Sequence, residues 1–430
     1  MTICFGRHEI IMGKRPSLLL KNVLVPGGRI ADIAIRDGVV GHLGAGETAD
    51  QTIDCTGYLI MPGGVDIHVH MRDGPQSAKE DWETGSRSAL AGGITTVVDQ
   101  PNTQPPLTTP EVFTARVQEA TKSSLCNFAI NSGVTPDTPL RAMWEAGAMA
   151  FGETFFAPSS YGEAIGREDL SRALAHISEL GGLATIHAEE VATGQDNDLA
   201  AHDVLRSPEG EIRAVKAVQE CNRNACRLHF CHMSTAGSID AATGTVEVTP
   251  HHLFLSYEQA VRDDAIYKVN PPLRCEIERK NLWTRWNRIN VIASDHAPHT
   301  LIEKKRSFAS APSGMPGVET MIPLLLAEVL AKRISLPDLI MKTSQTPAWL
   351  MGIPAGGFTP GNRGDFALYP KFAEPLHAEN LHSKCGWTPY EGRMAVFPEI
   401  VILGGDIVFQ NGDFFPGRPA WMSGNGYLEP

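Results

Sequence analysis

Two histidines separated by one residue are the first chemically suggestive feature of the sequence. His68 and His70 lie in the segment MPGGVDIHVHMR, residues 61–72. Residues 65–70 have the composition of a short buried strand, on which alternate side chains project to the same side. Two imidazoles held this way can share one metal ion. The pair alone is a modest signal, because ordinary core or surface histidines also occur at this spacing.

Other potential metal ligands follow apolar runs much later in the chain. His187 ends the run ATIH, His232 ends HFCH, and Asp295 follows INVIAS. If these runs are strands of one closed parallel sheet, their C-terminal ends meet at one face. The pattern therefore predicts a shared metal site made by five side chains, His68, His70, His187, His232 and Asp295. The remaining isolated histidines are predicted to be structural (His229) or at the surface (His8, His42, His176, His202 and His377).

The composition limits the classes of partner. The chain has 430 residues, 42% hydrophobic and 20% charged, with a net charge of -12. This negative charge argues against nucleic acid or an anionic membrane surface as the main partner. No apolar run approaches the roughly 20 residues of a membrane span. The eight cysteines show neither a disulfide framework nor a common zinc spacing, so we expect reduced thiols and a cytoplasmic location.

Both ends of the chain have the pattern of short strands separated by turns. Residues 17–60 and 355–430 contain alternating apolar runs, and an Asn-Gly turn lies at 411–412. We predict one small β-sandwich domain formed by both chain ends, residues 1–60 and 355–430, in which strands from the two ends pair. The first 16 residues are expected to extend from this domain.

The middle of the chain, residues 61–354, alternates strand-like with helix-like segments. Their number and spacing predict an α/β fold, a (β/α)8 TIM-type barrel. A doubly wound open sheet is the alternative, but it needs a glycine-rich loop after its first strand, whereas Gly63-Gly64 precedes that strand. The eight candidate strands are 65–70, 94–100, 127–131, 148–153, 183–188, 227–233, 245–249 and 289–294.

Several longer motifs add a resemblance to a known family. Together they resemble the amidohydrolase superfamily and, within it, the dihydroorotases. The resemblance covers nearly the whole chain from about residue 17, and the combination is specific although each piece alone is not. The motifs are PGGVDIHVHMR at 62–72, PNTQPP at 101–106, TPHHLFLS at 249–256, NPPLR at 270–274, SDHAPH at 294–299, GMPGVET at 314–320 and HSKCGWTPYEG at 382–392.

The resemblance implies a barrel with a small β-sandwich and a zinc site at the barrel mouth. One ion is expected on His68, His70 and Asp295, and a second on His187 and His232. The implied reaction is the metal-dependent, reversible hydrolysis of the cyclic amide of (S)-dihydroorotate to N-carbamoyl-L-aspartate, a step of de novo pyrimidine biosynthesis. Water activated by the metal attacks the ring carbonyl, and Asp295 passes the proton to the leaving nitrogen.

Four further residues are implied to bind the substrate. Arg72, Asn102 and His299 are expected to hold its carboxylate, since an arginine can grip a carboxylate through two parallel hydrogen bonds. Asn270 and the backbone near residues 312–317 are expected to meet the amide edge of the ring. A loop at residues 155–162 is expected to lie over the site.

The chain departs from the family at the fourth strand. Many relatives bridge two metals with a carboxylated lysine there, but the aligned position is Ala148, and no lysine occurs between Lys122 and Lys216. A carboxylated lysine is therefore excluded, and one or two zinc ions are expected without it. Glu153 is the nearest carboxylate and is predicted to be a ligand. Strict alternation puts it on the face opposite Ala148, so a bulge or a strand-end turn is required.

Two other functions stay open at this stage. One is a catalytically silent dihydroorotase-like subunit that supports aspartate transcarbamoylase, and the other is a cyclic amidase of the hydantoinase or allantoinase type. Silent relatives typically lose metal histidines, which this chain keeps. The ring substrates of hydantoinases need no arginine, so Arg72 argues against them. A small-molecule substrate is expected in each enzymatic case, and a homodimer is a family-based expectation.

Overall fold

The computed structural model describes residues 16–25, 28–44, 46–156 and 164–429. Four strands near the N-terminus form one sheet in the order β3-β2-β1-β4. Asp37 and Gly38 both have positive φ, as a tight hairpin turn between β2 and β3 requires. The strands are β1 (Leu18–Leu24), β2 (Ile30–Arg36), β3 (Val39–Leu43) and β4 (Gln51–Asp54).

After β5 (Leu59–Pro62) the chain enters a set of eight parallel strands. Each overlaps one of the eight predicted segments, because these strands are buried on both faces and read as continuous apolar runs. They are β6 (Gly64–Val69), β7 (Ile94–Asp99), β8 (Asn127–Ile130), β9 (Phe151–Phe155), β10 (Leu183–His187), β11 (Arg227–Phe230), β12 (Thr245–Val248) and β13 (Val291–Ile292).

The eight strands close into a ring through two short junctions. Strands β6 to β8 and β9 to β13 form separate ladders. Ser132 bridges to Phe151 on one side, and Val69 bridges to His296 on the other. The His70 amide N–H also donates to the His296 carbonyl at 2.8 Å. The predicted (β/α)8 barrel is therefore confirmed, and its closure brings the C-terminal strand ends together.

Helices follow the strands and cover the barrel. The helix α2 begins as its sequence indicates, with Pro110 at the first position and the Thr109 hydroxyl accepting from the Val112 amide. Phe113 and Ala120 are buried on one face of this helix. The helices are α1 (Trp82–Ala91), α2 (Pro110–Ser123), α3 (Leu140–Glu145), α4 (Arg167–Glu179), α5 (Leu199–Leu205), α6 (Pro208–Cys221), α7 (Ala236–Ala241), α8 (Pro250–Phe254), α9 (Glu276–Trp283), α10 (Leu301–Lys304), α11 (Met321–Leu330), α12 (Leu336–Ile340) and α13 (Thr346–Met351).

The C-terminal strands return to the N-terminal region. The second sheet has the order β19-β18-β17-β14-β5, and β14 pairs antiparallel with β5 from Phe366 opposite Pro62 to Tyr369 opposite Leu59. Residues of both sheets share one apolar core, which gives the expected β-sandwich. The strands are β14 (Phe366–Tyr369), β15 (Glu374–Pro375), β16 (Met394–Ala395), β17 (Ile400–Leu403), β18 (Asp406–Gln410) and β19 (Asp413–Phe414).

Some predictions concern residues that are not described. The N-terminal extension lies outside the described residues up to residue 15, and so does the predicted loop over the site from residue 157 onward. Among the described residues, no helix is both long and apolar enough to cross a membrane. The domain boundaries at residues 60 and 354 stay a prediction, and β5 extends across the first of them.

Candidate active site

Side chains from distant parts of the sequence meet at the mouth of the barrel. His70 Nε2 lies 3.1 Å from Asp295 Oδ1, and His68 Nε2 lies 3.6 Å from the same oxygen. On the other side, His187 Nδ1 is 3.1 Å from His232 Nε2. All five side chains are buried. The structure thus brings together the five residues that the sequence predicted as metal ligands, and their role as ligands stays a prediction.

Glu153 lies between the two groups of histidines. Its Oε1 is 2.7 Å from His187 Nδ1 and 2.8 Å from His232 Nε2, while its Oε2 is 3.6 Å from His68 Nε2. The β9–β10 register shifts, with Ala184 opposite Phe151 but Ile186 opposite Thr154. This extra residue in β9 is a bulge, which is one of the two irregularities that the sequence prediction allowed. One carboxylate therefore faces both histidine groups.

Two acidic residues orient the histidines from outside the cluster. Glu247 Oε1 is 2.9 Å from His68 Nδ1, and Glu189 Oε2 is 3.1 Å from His187 Nε2. Because the nearer nitrogen donates a hydrogen bond to the carboxylate, the other nitrogen of each ring is free to coordinate a cation. His68 Nε2 is buried without a hydrogen-bond partner and faces the centre of the cluster. These residues fit a divalent cation.

Three overlapping sets of buried side chains within the described residues have ligand atoms close enough to hold an ion. Two of them contain Glu153. The third includes the Cys231 thiol and lies on the outer side of His68. The sets are His68 with His70 and Glu153, Glu153 with His187 and His232, and His68 with Cys231 and Glu247.

Carboxylates of the cluster raise the pKa of two of its histidines, His68 and His187. Burial alone would raise the pKa of Glu153, but hydrogen bonds from His187 and His232 hold that pKa well below its usual range. Burial likewise lowers the pKa of His187, but Glu153 and Glu189 raise that pKa to about 9. The pKa of Asp295 is lowered because its bond to His70 and the charge of His68 outweigh burial. A cation therefore has to displace protons on binding.

Three residues at the site have left-handed backbone conformations. The φ angles of Arg72, His232 and Asp295 are 53°, 35° and 45°. Such conformations cost a non-glycine residue about 1–3 kcal/mol and cluster at functional sites. Each of the three follows the end of a barrel strand, where the chain turns its side chain toward the mouth.

A cavity of about 390 Å³ opens over the cluster. Arg72 is buried in its wall, with Nε donating to the Pro298 carbonyl at 3.3 Å and one Nη 3.5 Å from His299 Nε2. His299 Nε2 donates to the Ser313 carbonyl at 3.0 Å, and Lys79 Nζ lies 3.1 Å from its Nδ1. Burial and the charges of Arg72 and Lys79 keep the pKa of His299 well below its usual range. The wall is therefore cationic at this end.

The two predicted asparagines also reach the cavity wall. Asn102 Oδ1 lies 2.7 Å from His70 Nδ1, so it orients that ring in addition to facing the cavity. Asn270 Oδ1 lies 2.9 Å from His202 Nε2. The prediction that His202 is a surface residue is wrong, because its ring is buried against the loop that carries Asn270. Contacts with substrate stay predictions for both asparagines.

Sequence reasoning missed three residues that support the site. Glu189 follows His187 by two positions, and Glu247 is the acidic residue in the apolar strand TVEV, so both left a weak signal. Glu247 also accepts from His229 at 3.1 Å, which agrees with a structural role for that histidine. Lys79 begins the segment KEDWETG at 79–85, which resembles a helix start of the family but gives no indication of the contact with His299, because only closure of the fold creates it.

The amidohydrolase family model matches residues 59–383, which hold the barrel and the whole cluster. The chain belongs to the amidohydrolase family. Curated relatives of this amidohydrolase include the dihydroorotase of Methanosarcina acetivorans, 40% identical over 93% of both chains. The dihydroorotase of Halobacterium salinarum is 35% identical over 91% of this chain and 96% of the relative. The predicted resemblance is confirmed, and with it a metal-dependent amidohydrolase.

Solved structures support the same fold for this amidohydrolase. The L-hydantoinase (dihydropyrimidinase) from Arthrobacter aurescens aligns with a TM-score of 0.85 and 27% identity over 93% of this chain and 97% of that chain. The dihydropyrimidinase from Brevibacillus agri aligns with a TM-score of 0.84 over 96% of this chain and 100% of that chain. Its 22% identity shows the fold alone.

Proposed function

We propose that this amidohydrolase is a dihydroorotase, which interconverts (S)-dihydroorotate and N-carbamoyl-L-aspartate in de novo pyrimidine biosynthesis. The observation that carries the proposal is the buried Arg72 in the cavity wall, beside His299 and next to the histidine cluster. A buried guanidinium at this place suits a small ring substrate that carries a carboxylate. Curated dihydroorotases at 33–40% identity over most of the chain support the same conclusion.

The cluster is proposed to hold one or two zinc ions. His68, His70 and Asp295 would hold one, His187 and His232 the other, and Glu153 would contact both. A bound divalent cation lowers the pKa of water from 15.7 to about 7 and polarises a carbonyl group. Imidazole and carboxylate ligands favour zinc, and no carboxylated lysine is needed.

The protein's own groups complete the chemistry. Asp295 has a lowered pKa and stays ionised, so it can accept a proton from the attacking water and deliver it to the leaving ring nitrogen. Arg72 holds the substrate carboxylate, while His299, kept neutral, and Asn102 complete that end of the pocket. Asn270 meets the amide edge of the ring. In the reverse direction, the carbamoyl nitrogen attacks the side-chain carboxyl carbon, and Asp295 accepts the nitrogen's proton and delivers it to the oxygen that leaves as water.

The other candidates have weaker support. The structural similarity to a hydantoinase favours a cyclic amidase with another ring, but such a ring gives Arg72 no carboxylate to bind. A silent subunit would not need the complete set of buried ligands that this chain retains. A homodimer and an association with aspartate transcarbamoylase are proposed from the family resemblance alone. A cytoplasmic location agrees with the free cysteines.

Assays of the purified protein with several substrates test this proposal. Dihydroorotate, N-carbamoyl-L-aspartate, hydantoin and allantoin should be compared at equal enzyme concentration, with metal content measured on the same preparation. We expect turnover of the first two, with one or two zinc ions bound per chain. Turnover of hydantoin or allantoin alone would contradict the proposal. Full activity after complete removal of metal would contradict the proposed chemistry.

A further inference from the structure

His202 packs against the loop that carries Asn270, and both of its ring nitrogens face hydrogen-bond acceptors. The residue is on α5 and is buried. Its Nε2 is 3.0 Å from the Val269 carbonyl oxygen, and its Nδ1 is 2.9 Å from Asp196 Oδ1. The Val269 carbonyl can only accept a hydrogen bond, so the Nε2 of His202 donates to it.

This arrangement fixes the orientation of the Asn270 side-chain amide. The Val269 carbonyl makes His202 Nε2 a donor however the amide is turned. The amide end 2.9 Å from Nε2 must then be the oxygen, as the structure places it. An amide carries its oxygen and its NH2 group at opposite corners. The Nδ2 group of Asn270 is therefore the end available to the cavity, whose wall Asn270 helps to form.

Asp196 is itself held in place, which makes the arrangement rigid. Its Oδ2 lies 3.2 Å from Nζ of the buried Lys268, and the same Nζ donates to the Phe308 carbonyl at 2.8 Å. Burial raises the pKa of Asp196, but the bond to His202 and the charge of Lys268 outweigh it, so the carboxyl stays ionised. The ring of Phe308 packs edge-on against His202 at 5.8 Å between centroids.

We propose that His202 and Asp196 are positioning residues that turn the Asn270 amide so that it donates a hydrogen bond to a carbonyl oxygen of the ring substrate. The inference rests on the proposed binding of a cyclic amide in this cavity. It adds that Asn270 is the donor, and the substrate the acceptor, in one hydrogen bond. A ring carbonyl at that point is accepted. A substrate with a ring N–H at that point is disfavoured, because the N–H and the NH2 group are both donors and cannot form a hydrogen bond.

A double-mutant cycle in the full-length protein tests whether His202 acts through Asn270. The variants are His202→Leu, Asn270→Ala and their combination, measured with dihydroorotate for KM and kcat, with metal content and Tm alongside. Each single variant is expected to raise KM roughly tenfold, with kcat and metal content retained, because one substrate hydrogen bond is lost. The double variant should have the KM of Asn270→Ala alone.

Conservative variants keep the proposal falsifiable if His202→Leu does not fold. His202→Gln retains a side-chain donor toward Asn270, so its KM should be close to the wild-type value. Asp196→Asn should raise KM. The matched control is His377→Leu, since that exposed histidine pairs with Glu391 at 2.7 Å. Additive effects on KM in the cycle would overturn the proposal. An unchanged KM with a lowered Tm would also overturn it, because that result would show that His202 only stabilises the fold.

The outcome separates this inference from the proposed function. If the wild-type protein hydrolyses a different cyclic amide, the dihydroorotase proposal fails, and the same cycle is then measured with that ring. Coupling between the two positions would support the inference in that case too, because the argument concerns a ring carbonyl and not the carboxylate. Independent effects would refute it with either substrate.

Discussion

Replacement of Arg72 by methionine is the most direct test of the proposed substrate. The change keeps much of the aliphatic length and removes the guanidinium from a site that is 8% exposed. Burial lowers the pKa of Arg72 to about 10, so the side chain is still charged at neutral pH. The substrate carboxylate would therefore lose its principal cation in this variant, while the histidine cluster keeps all of its side chains.

The size of the effect follows from the number of hydrogen bonds. A guanidinium–carboxylate pair makes two charge-assisted bonds, each contributing about 1.5–3 kcal/mol. The lower value gives about 3 kcal/mol for the pair, and each 1.36 kcal/mol is a factor of ten in rate. We therefore expect Arg72→Met to reduce kcat/KM for dihydroorotate by roughly 100-fold, chiefly through KM.

The assay compares two dihydropyrimidine rings, one with a carboxylate and one without. Steady-state kinetics with dihydroorotate should show the full loss, whereas a dihydropyrimidine ring without a carboxylate should be processed by Arg72→Met and the wild type at similar rates. Arg167→Met is a matched control, because that arginine forms an exposed ion pair with Glu220 and should contribute little. An unchanged KM for dihydroorotate at unchanged metal content would refute the reasoning.

Three further predictions concern the metal site and the fold. Glu153→Gln should lower the metal bound per chain below the wild-type content, measured by elemental analysis after dialysis, because its carboxylate faces both histidine groups; an unchanged metal content would count against a role for Glu153 as a ligand. The pKa of His187 is raised to about 9 in the metal-free protein, so zinc binding should release protons at pH 7 and far fewer above pH 9. Calorimetry in buffers of different ionisation enthalpy measures the number of protons released. Release of equal numbers at pH 7 and above pH 9 would be inconsistent with this prediction. Gly93→Ala should lower Tm by several degrees in thermal unfolding and leave KM at the wild-type value. The φ angle of Gly93 is 84°, and an added Cβ would lie 1.9 Å from the Tyr369 hydroxyl. An unchanged Tm would contradict that contact.

The sequence predicts most of the architecture, since barrel strands buried on both faces are visible as apolar runs. For Glu153 the sequence predicts only that a bulge or a strand-end turn is needed, because the choice depends on the register that β9 adopts against β10. The sequence does not predict Glu189 and Glu247, which accept hydrogen bonds from the histidines, for a related reason. Glu247 orients His68 across 179 residues of sequence, and spacing carries no information about such a pair.

The misassignment of His202 has the same origin. Helix α5 gives that histidine no distinctive pattern, and its burial comes from contact with the loop around Asn270, far along the chain. Residues that form strands can be found from local periodicity, whereas residues that turn or orient another side chain depend on contacts made only after folding.

The glutamate at position 153 has a consequence for how the site is assembled. A carboxylated lysine forms only after the side chain reacts with dissolved carbon dioxide, and it reverts when that gas is scarce. Glu153 needs no such reaction, because its acid group is present as soon as translation ends. We therefore expect the apoprotein to regain its ions equally well in degassed and in bicarbonate-rich buffer.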